Sequence, residues 1–487
     1  MPDLAFQSAT QLAAAIRRKQ VGSRELLEHY AARIGRFNPA INAVVTLDLE
    51  RARTQADSAD AAVARGEYGG PLHGVPITIK DTLETAGIRT TAGAEVHAEH
   101  VPQTDAAAVA RLRAAGAVII GKTNTPTFAM DVQTFNPLFG TTNNPWDLSR
   151  TPGGSSGGAA AAIAAGLSAL ELGSDIGGSI RTPAHFCGVY GHKPTHGIIE
   201  MRGHIPGPPG TLSEADIGVL GPLARSAADL ALALDVLAGP EAARAVAWRL
   251  ALPPPRRAAL RAYRVAAWLD DPACPVDAEV GRALAQTVDA LRCAGVQVDD
   301  GARPRFRFAD ALRTYRRLLW AATSPGVPRE LFLQLAQTAG ALPEEDHSVM
   351  AEFVRASTQR HREWLSVNEA RQQLRARWAE FFRDVDVLLC PVTQTAAIRH
   401  DHSQPYFDRT IEVNGALRPY NDQLAWVGVV GLAYLPATVA PIGCTSAGLP
   451  VGVQIVGPYL EDRTTIDFAE RLAEVIGGFA IPPGYEA

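Results

Sequence analysis

The feature that most constrains this chain is a stretch of forty residues, 151–190, that is rich in glycine, alanine and serine. Residues 157–166 are almost all alanine or glycine, which predicts a helix that packs very closely against a sheet. Ser155 and Ser179, on either side of this helix, each lie among glycines. Glycine flanks a serine where backbone N–H groups must approach a ligand without a Cβ in the way. That need is typical of a nucleophile beside an oxyanion hole.

Lysine is scarce in this chain and is therefore informative where it occurs. Of the 46 basic residues, only Lys19, Lys80, Lys122 and Lys193 are lysines. Arginine cannot give up its proton at a useful pH, whereas a buried lysine can become neutral and act as a base. Lys80 ends a short apolar strand in the run GVPITIKD, at residues 74–81, and strand ends are the usual place for catalytic groups in α/β proteins. Lys80 is therefore the best candidate for a base.

Four motifs in order along the chain resemble the amidase signature family of serine hydrolases: GVPITIKD, GAVIIGKTNTP, TPGGSSGG and GSDIGGSIRTPAHFCGVYGHKPT. The resemblance is dense over residues 60–200 and returns more weakly near the C-terminus. It implies a catalytic triad of Lys80, Ser155 and Ser179, with a cis peptide bond between Gly154 and Ser155. Lys80 would take the proton of Ser155 and Ser155 that of Ser179, whose oxygen would attack the substrate carbonyl and form an acyl-enzyme.

The same resemblance assigns supporting roles to the residues near the two serines. The oxyanion hole would consist of the backbone N–H groups of Ile176, Gly177, Gly178 and Ser179. Asp175 and Arg181 are predicted to form a pair that fixes the nucleophile loop, although each could instead simply cap a turn. The supporting residues predicted in this way are Gly154, Ser156, Asp175 and Arg181.

A nucleophile elbow of the α/β-hydrolase kind is an alternative interpretation of residues 153–157, which fit the pattern G-x-S-x-G. Such an elbow needs a buried strand immediately before the serine, but prolines interrupt residues 143–152 and predict a loop. Its histidine should also lie near the C-terminus, and no histidine follows His402. The elbow is therefore the weaker interpretation.

A phosphate-binding loop is a second alternative, because residues 116–123, GAVIIGKT, match its pattern letter for letter. In a true phosphate loop the residues between the glycines form a turn, whereas Ala-Val-Ile-Ile has the composition of a buried strand. Residues 105–113 predict a helix before this strand, so the order of elements is also wrong for a phosphate loop. We therefore predict that Lys122 is structural.

Alternation of helix and strand patterns predicts a layered α/β/α fold with a central mixed sheet and a helical insertion covering the cleft. Residues 1–487 are predicted to form a single domain. Within it we expect a catalytic core at 60–240, a mostly helical insertion or cap at 241–384, and a return to the core sheet at 385–487.

The middle of the chain predicts a second small unit. Its strands are expected at residues 265–269 and 296–298, and long helices over about 308–382 would cover the substrate cleft.

Composition agrees with a cytoplasmic enzyme, and no cofactor is predicted. The 47% apolar content is enough for a large core, and five scattered cysteines make a disulfide framework improbable. The net charge of −5 offers no basic face for nucleic acid, and no run of residues is long enough to span a membrane. His185, Cys187, His192 and His196 lack the spacing of a zinc site, so no metal is predicted. A homodimer is compatible with the sequence.

The substrate is predicted to be a small amide, carbamate or ester. Apolar side chains at Phe128, Met130, Tyr420 and Trp426 are candidates to line the cleft, and they favour apolar acyl or aryl amides. Cleavage of the C–N bond would give an acid plus an amine or ammonia. Aryl acylamidase, urethanase or esterase activity would use the same triad. The Gly/Pro-rich segment 204–210 is also expected to shape this region.

Two further functions stay open at this stage. The amidase signature family includes the glutamine-hydrolysing subunit of a tRNA-dependent amidotransferase. Against that function, this chain has PGTLSEAD where such subunits carry ASSLDQ after the K-P-T motif. A binding module that has lost catalysis is the other alternative, because motifs by themselves do not prove turnover.

Overall fold

A mixed sheet of eleven strands forms the centre of the molecule. The structure is a computed structural model that describes residues 4–205, 210–343, 345–346 and 348–486. The strands, including those outside the main sheet, are β1 (Val44–Leu47), β2 (Pro76–Lys80), β3 (Val118–Thr123), β4 (Phe135–Asn136), β5 (Gly140–Thr141), β6 (Glu171–Asp175), β7 (Tyr190–Lys193), β8 (Val219–Ala224), β9 (Arg264–Ala267), β10 (Gln297–Asp299), β11 (Val387–Pro391), β12 (Thr410–Val413), β13 (Ala416–Pro419), β14 (Ala437–Cys444) and β15 (Pro450–Val456).

Parallel and antiparallel pairs are both present in this sheet. Its strand order is β1-β3-β2-β6-β8-β7-β14-β15-β11-β9-β10. The neighbours β3, β2 and β6 are parallel, as are β11, β9 and β10, and the strands between these two groups pair antiparallel. Strands β4–β5 and β12–β13 form two small separate ribbons. The mixed sheet predicted from the sequence is confirmed.

Fifteen α-helices surround the sheet in the described part of the chain. They are α1 (Ala9–Arg17), α2 (Ser23–Ile41), α3 (Leu49–Ala64), α4 (Ala107–Ala114), α5 (Gly157–Ala164), α6 (Arg181–Cys187), α7 (Ala227–Leu237), α8 (Ala242–Ala245), α9 (Ala278–Cys293), α10 (Phe308–Thr323), α11 (Arg329–Ala341), α12 (Val349–Ser357), α13 (His361–Phe381), α14 (Ala425–Leu432) and α15 (Asp462–Ile476). Short 3-10 helices lie at Leu4–Phe6, Glu95–His97, Thr127–Ala129, Leu260–Ala262, Ser324–Gly326, Tyr406–Asp408 and Tyr420–Leu424.

Apolar side chains cover both faces of the sheet. Strand β8 shows this, because successive side chains of a strand point to opposite faces. Leu220 and Ala224 belong to the main core together with helix α7, whereas Leu223 belongs to a smaller core that includes residues of α5 and α6. Helices therefore cover two faces of one sheet, which is the layered arrangement predicted from the sequence.

Helix α5 carries the alanine run that the sequence analysis singled out. All eight of its residues are buried, and it contacts strands β2, β6 and β8 as well as helix α6. Small side chains allow this close approach, because larger ones would hold the helix axis farther from the sheet. The helix begins immediately after Ser155 and Ser156, so its N-terminus lies beside these serines.

The strands expected at 265–269 and 296–298 do not form a second small unit, contrary to the expectation from the sequence. Strand β9 pairs parallel with β11, and β10 pairs parallel with β9, so both strands complete the edge of the central sheet. Most of the other described residues of 241–384 lie in helices α8–α13. The sequence predicts that these strands exist, but the sequence of a short apolar strand does not indicate which strand it pairs with.

Neither alternative motif has the structure that its function would require. Residues 118–123, within the phosphate-loop pattern, form the buried strand β3 after helix α4. No strand lies in the described residues between Thr141 and Ser155, so Ser155 does not follow a buried strand as an elbow serine would. Both results agree with the expectations from the sequence.

Among the described helices, none combines the length and the apolar character of a membrane span.

Candidate active site

The segments that carry the predicted catalytic residues lie at the carboxyl ends of two neighbouring strands, β2 and β6. Strands β2 and β6 are parallel neighbours, with Thr78 opposite Glu171 and Ile79 opposite Leu172. Their carboxyl ends therefore lie side by side, with Lys80 ending β2 and Asp175 ending β6. Such strand ends are where open α/β sheets place their ligand sites.

Lys80 is completely buried and lies against two serine hydroxyls. Its Nζ is 2.6 Å from Ser155 Oγ and 3.0 Å from Ser174 Oγ. Burial lowers the pKa of Lys80 to about 7; the negative charge of Asp175, and that of Glu171 once Glu171 is ionised, act in the opposite direction. A substantial fraction of Lys80 is therefore unprotonated at neutral pH, as a general base requires. The sequence analysis did not identify Ser174.

Glu171 lies on the neighbouring strand β6, opposite Thr78, and is also completely buried. The hydroxyls of Thr78 and Thr123 donate hydrogen bonds to its carboxyl group, the latter at 2.8 Å. Burial raises the pKa of Glu171 to about 8, so this side chain is mostly neutral at pH 7. A neutral Glu171 does not hold Lys80 in its charged form.

The predicted pair of Asp175 and Arg181 is present, and both side chains are fully buried. Arg181 donates from Nε to Asp175 Oδ2 at 3.0 Å and from Nη2 to Oδ1 at 2.8 Å. Burial alone would raise the pKa of Asp175, but the charge and hydrogen bonds of Arg181 lower it to about 2. Arg181 Nη1 also donates to Val427 O and to Gln454 Oε1, both at 2.7 Å. The pair thus ties the loop to helix α14 and strand β15.

The predicted oxyanion hole needs one correction, at Gly178. Its backbone N–H donates to Asp175 Oδ1 at 2.9 Å, and this N–H is therefore not free to bind an oxyanion. Gly178 has φ = +94°, and a Cβ there would lie 2.8 Å from Val427, so only glycine suits this turn. The N–H groups of Ile176, Gly177 and Ser179 have no hydrogen-bond acceptor among the described residues.

The two serine loops are held against each other by a backbone contact. Ser156 N–H donates to the Ser179 carbonyl at 3.0 Å. The peptide bond between Gly154 and Ser155 is cis, as the resemblance implied. A Cβ on Gly154 would lie 2.7 Å from the Asp131 carbonyl, so the loop requires glycine here. In the described structure, no hydrogen bond joins the Ser155 and Ser179 hydroxyls.

Three side chains from the later part of the chain pack on residues 176–178 of the loop that leads to Ser179, called the nucleophile loop here. These three side chains were not predicted from the sequence. Tyr315 of α10 donates from its hydroxyl to the Ile176 carbonyl at 3.3 Å. A Cβ on Gly177 would lie 3.0 Å from this hydroxyl and 3.3 Å from Leu424. Val427 contacts the loop at Gly178, as described above. No motif marks these residues, because they lie more than 130 positions after the loop and meet it only in the folded chain.

Tyr315 bonds to the peptide group that also carries the Gly177 N–H, one of the predicted oxyanion donors. The Ile176 carbonyl and the Gly177 N–H belong to one planar peptide group and point in opposite directions. A hydrogen bond from Tyr315 to the carbonyl therefore restrains the direction of the Gly177 N–H. This contact links the helical segment 308–382 to the site.

The four residues predicted to line the substrate cleft have different surroundings. Met130 is 47% exposed, and Phe128 is partly buried and packs edge-on against His97. Tyr420 is buried and donates from its hydroxyl to Asp131 Oδ1 at 2.7 Å. Trp426 lies in the apolar core against Trp268 and Phe308, which corrects its assignment to the cleft. A buried aromatic ring on a helix has the same sequence pattern whether it faces a core or a cleft.

The other two buried lysines have structural contacts. Lys122 Nζ donates to Thr85 Oγ1 at 2.9 Å, to Thr90 Oγ1 at 3.0 Å and to the Leu83 carbonyl. Lys193 Nζ donates to the Pro194 carbonyl at 2.7 Å. Burial lowers the pKa of Lys193 to about 7 as well.

Among the described residues, no three or more His, Cys, Asp or Glu side chains are placed to hold a metal ion together. Within segment 204–210, His204 pairs with Leu83 and the Ile205 N–H donates to the Thr82 carbonyl at 2.7 Å, so its first residues lie beside the end of β2. Residues 206–209, also expected to shape the substrate region, lie outside the described residues.

Comparisons with known proteins agree along nearly the whole chain. A family model described as Amidase matches residues 25–466. A glutamyl-tRNA(Gln) amidotransferase subunit from Roseiflexus sp. (strain RS-1) is 34% identical over 480 residues, which are 95% of this chain and 94% of the relative. The solved structure of 6-aminohexanoate cyclic dimer hydrolase is similar with a TM-score of 0.79 and 29% identity, and all of both chains is covered.

A second similar structure comes from a vestigial protein complex related to the origins of an s-triazine catabolic enzyme. It has a TM-score of 0.78 and 30% identity, and the match covers 98% of this chain and 100% of the other. The similarity to these proteins includes the segments that carry the site described above.

We expect the Asp175–Arg181 pair to contribute strongly to stability. Asp175→Asn leaves the Arg181 charge buried without a carboxylate, which typically costs about 3–5 kcal/mol. The exposed pair of Arg463 and Asp235, at 2.6 Å, is the matched control, and Asp235→Asn should cost less than about 1 kcal/mol. Urea denaturation of both variants measures the difference. Equal losses would contradict the structural role of the buried pair.

Proposed function

Because this chain belongs to the amidase signature family, we propose that it hydrolyses a carboxylic amide through an acyl-enzyme on Ser179. The observation that carries this proposal is the contact of buried Lys80 with Ser155, next to a nucleophile loop with free backbone N–H groups. A lysine with a pKa of about 7 is suited to take a proton at neutral pH. The products would be a carboxylic acid and an amine or ammonia.

The proposed reaction begins with proton transfer along Ser155. Neutral Lys80 accepts the proton of Ser155 while Ser155 accepts that of Ser179, whose Oγ forms a bond to the carbonyl carbon. Since the two hydroxyls are not hydrogen-bonded in this structure, the transfer requires that they first approach each other. Such contacts often tighten only when the substrate is bound.

The charge that develops on the carbonyl oxygen needs hydrogen-bond donors. In our proposal the N–H groups of Ile176, Gly177 and Ser179 supply them, and the Gly178 N–H instead holds the loop to Asp175. A single donor of this kind typically contributes about 3–4 kcal/mol to transition-state stabilisation. The proton on Lys80 then returns through Ser155 to the leaving nitrogen, and the C–N bond breaks. Water attacks the ester in the same way and releases the acid.

The surroundings of the loop favour an uncharged substrate. Tyr315, Leu424 and Val427 present a phenol and apolar groups to residues 176–178. The nearby carboxylates already have partners, because Asp131 pairs with Arg409 at 2.7 Å and Asp422 pairs with Arg316 at 3.0 Å. A substrate ammonium group would need an available carboxylate in a site this buried. Apolar acyl or aryl amides therefore fit best, with carbamates and esters as related substrates.

Glutamine hydrolysis is a second candidate, and the curated relatives favour it. Relatives that match 92–96% of this chain at 32–34% identity are named as subunits of glutamyl-tRNA(Gln) amidotransferase. The same triad chemistry would release ammonia from glutamine, and a protein with that role would need partner subunits to use it. The absence of the ASSLDQ sequence after the K-P-T motif and the paired carboxylates near the loop weigh against this candidate.

A substrate panel tests the proposal. It consists of an ester, a primary amide, an anilide and a carbamate with matched apolar groups, together with glutamine. We expect hydrolysis of the apolar amides, and we expect Ser179→Ala to reduce it by at least about 1,000-fold because the nucleophile is lost. Ser357→Ala is the control, since Ser357 is buried in α12 and its hydroxyl has no described partner.

Each outcome of this panel has a definite meaning. Turnover restricted to glutamine would support the second candidate over the first. Amide turnover that survives in Ser179→Ala would contradict the assigned nucleophile. If neither the apolar substrates nor glutamine with candidate partner subunits were turned over, the proposed activity itself would be wrong.

The pH dependence follows from the proton affinity of Lys80. Because the base must be neutral, kcat/KM should rise as the pH rises through about 7 and reach a plateau above it. Lys80→Met should lower kcat/KM by about 100-fold or more and remove this rise. Lys193→Met is the control, because Lys193 has a similar pKa of about 7 but does not contact the serines. If the rise in kcat/KM disappeared in Lys193→Met but not in Lys80→Met, the assignment of the rise to Lys80 would be wrong.

Removal of the Tyr315 hydroxyl should affect the chemical step. Tyr315→Phe frees the Ile176 carbonyl, so the Gly177 N–H is held less firmly toward the oxyanion. For one neutral hydrogen bond we expect kcat to fall about 2- to 10-fold with little change in KM. Tyr30→Phe, which removes another buried phenol bonded to a backbone carbonyl, should leave kcat unchanged. An unchanged kcat in Tyr315→Phe would rule out the positioning role.

A further inference from the structure

A second cleft lies at the far edge of the sheet and shares no residue with the candidate active site. Its volume is about 860 Å³, within the range of small-molecule sites. Helix α13, the beginnings of strands β9 and β11, and the segment after strand β15 form its walls. Ala376, Ala379 and Leu435 give one part of the wall an apolar surface.

The cleft is strongly positive in a chain that is negative overall. Five arginines line it, and only two carboxylates, Asp386 and Glu461, face them. Three positive charges therefore remain unbalanced, although the net charge of the chain is −5. The arginines are Arg256, Arg257, Arg264, Arg375 and Arg383.

The two carboxylates are fully used by the arginines nearest to them. Asp386 is buried and accepts from Arg257 Nε at 2.9 Å and from Arg264 Nη2 at 3.0 Å. Burial alone would raise the pKa of Asp386, but these hydrogen bonds lower it to about 2. Glu461 accepts from Arg256 Nη2 at 2.7 Å. The Nη1 groups of Arg257 and Arg264 have no acceptor among the described residues and stay available to a ligand.

Arg375 is held in place by aromatic rings and not by a carboxylate. Its guanidinium lies 5.0 Å from the ring centre of Tyr434 and 4.8 Å from that of Tyr459. Its Nη1 donates to Gln372 Oε1 at 2.9 Å, and no acidic group within the described ranges pairs with it. Stacking of this kind orients a guanidinium without neutralising its charge. Arg383 is exposed, and its side chain likewise has no described partner.

A neighbouring cleft shows that the charge excess is local. That cleft, of about 610 Å³, is lined by four arginines, including Arg264 and Arg377, and by three carboxylates, Asp299, Glu380 and Asp384. It is close to neutral, so it offers no comparable attraction for an anion. Arg375 and Arg377 lie on the same helix α13 but face different clefts.

We propose that the larger cleft binds a small molecule that carries a phosphate or pyrophosphate group. Several fixed guanidinium groups with free N–H donors match the oxygen atoms of a phosphate, which accept paired hydrogen bonds. The apolar wall at Ala376, Ala379 and Leu435 accommodates the organic part of such a molecule. This site is independent of the triad, so the proposal does not rest on the function proposed above.

Titration of the full-length protein with inorganic pyrophosphate tests this proposal. Isothermal calorimetry near physiological salt should give a Kd below about 1 mM, which corresponds to about −4.1 kcal/mol. Arg375→Ala and Arg383→Ala should each weaken binding about 10-fold or more. Arg377→Ala, which removes the same charge from the same helix outside this cleft, should leave the Kd within about twofold.

Several results would overturn the proposal. They are the absence of binding even at about 10 mM pyrophosphate, an equal loss of affinity in Arg377→Ala, and equally tight binding of a dicarboxylate such as succinate. Arg383→Gln separates loss of charge from loss of side-chain length, and it should weaken binding as Arg383→Ala does. We expect each variant to fold, because the side chains of Arg375 and Arg383 lie near the surface. Circular dichroism of each variant checks this.

Discussion

The buried ion pair between Asp175 and Arg181 is the contact on which the rest of the site depends. The carboxylate of Asp175 accepts the N–H of Gly178 as well as the guanidinium, and Arg181 continues the network to Val427 and Gln454. Two charges taken out of water are tolerated only when their hydrogen bonds are satisfied, and here they are. The conformation of the nucleophile loop is therefore stabilised by a hydrogen-bond network that connects β6, α14 and β15.

Burial also sets the chemistry of Lys80. A lysine without access to water loses much of its preference for the charged form, and the neutral state of Glu171 removes one attraction that would restore it. This effect requires that the alanine-rich helix α5 packs directly on the strands around Lys80. The close packing of small side chains thus lowers the pKa of Lys80. A lysine on the surface would instead stay positively charged at neutral pH.

Much of the active site could be predicted because its parts are local in sequence. Lys80, Ser155, and the pair of Asp175 and Arg181 lie in motifs whose residue types match their chemistry, and the structure brings them together. Of the four N–H groups predicted for an oxyanion hole, that of Gly178 donates to Asp175, and no local sequence pattern shows this bond. Trp426 was placed in the cleft and lies in the core, since apolar periodicity does not distinguish the two. Tyr315 and Leu424 were missed because their contact with Gly177 is formed only by the fold.

The sequence by itself determined the layered α/β class, and it marked Lys80, Ser155 and Ser179 as candidate catalytic residues among glycines. These properties follow from residue type and short-range backbone geometry, which a linear pattern records. Only the tertiary structure decided that β9 and β10 complete the central sheet, that Tyr315 reaches the nucleophile loop, and that five arginines converge on one cleft. Each of these depends on which distant segments pack together, and that is decided by the burial of apolar surface over the whole chain and not by any local motif.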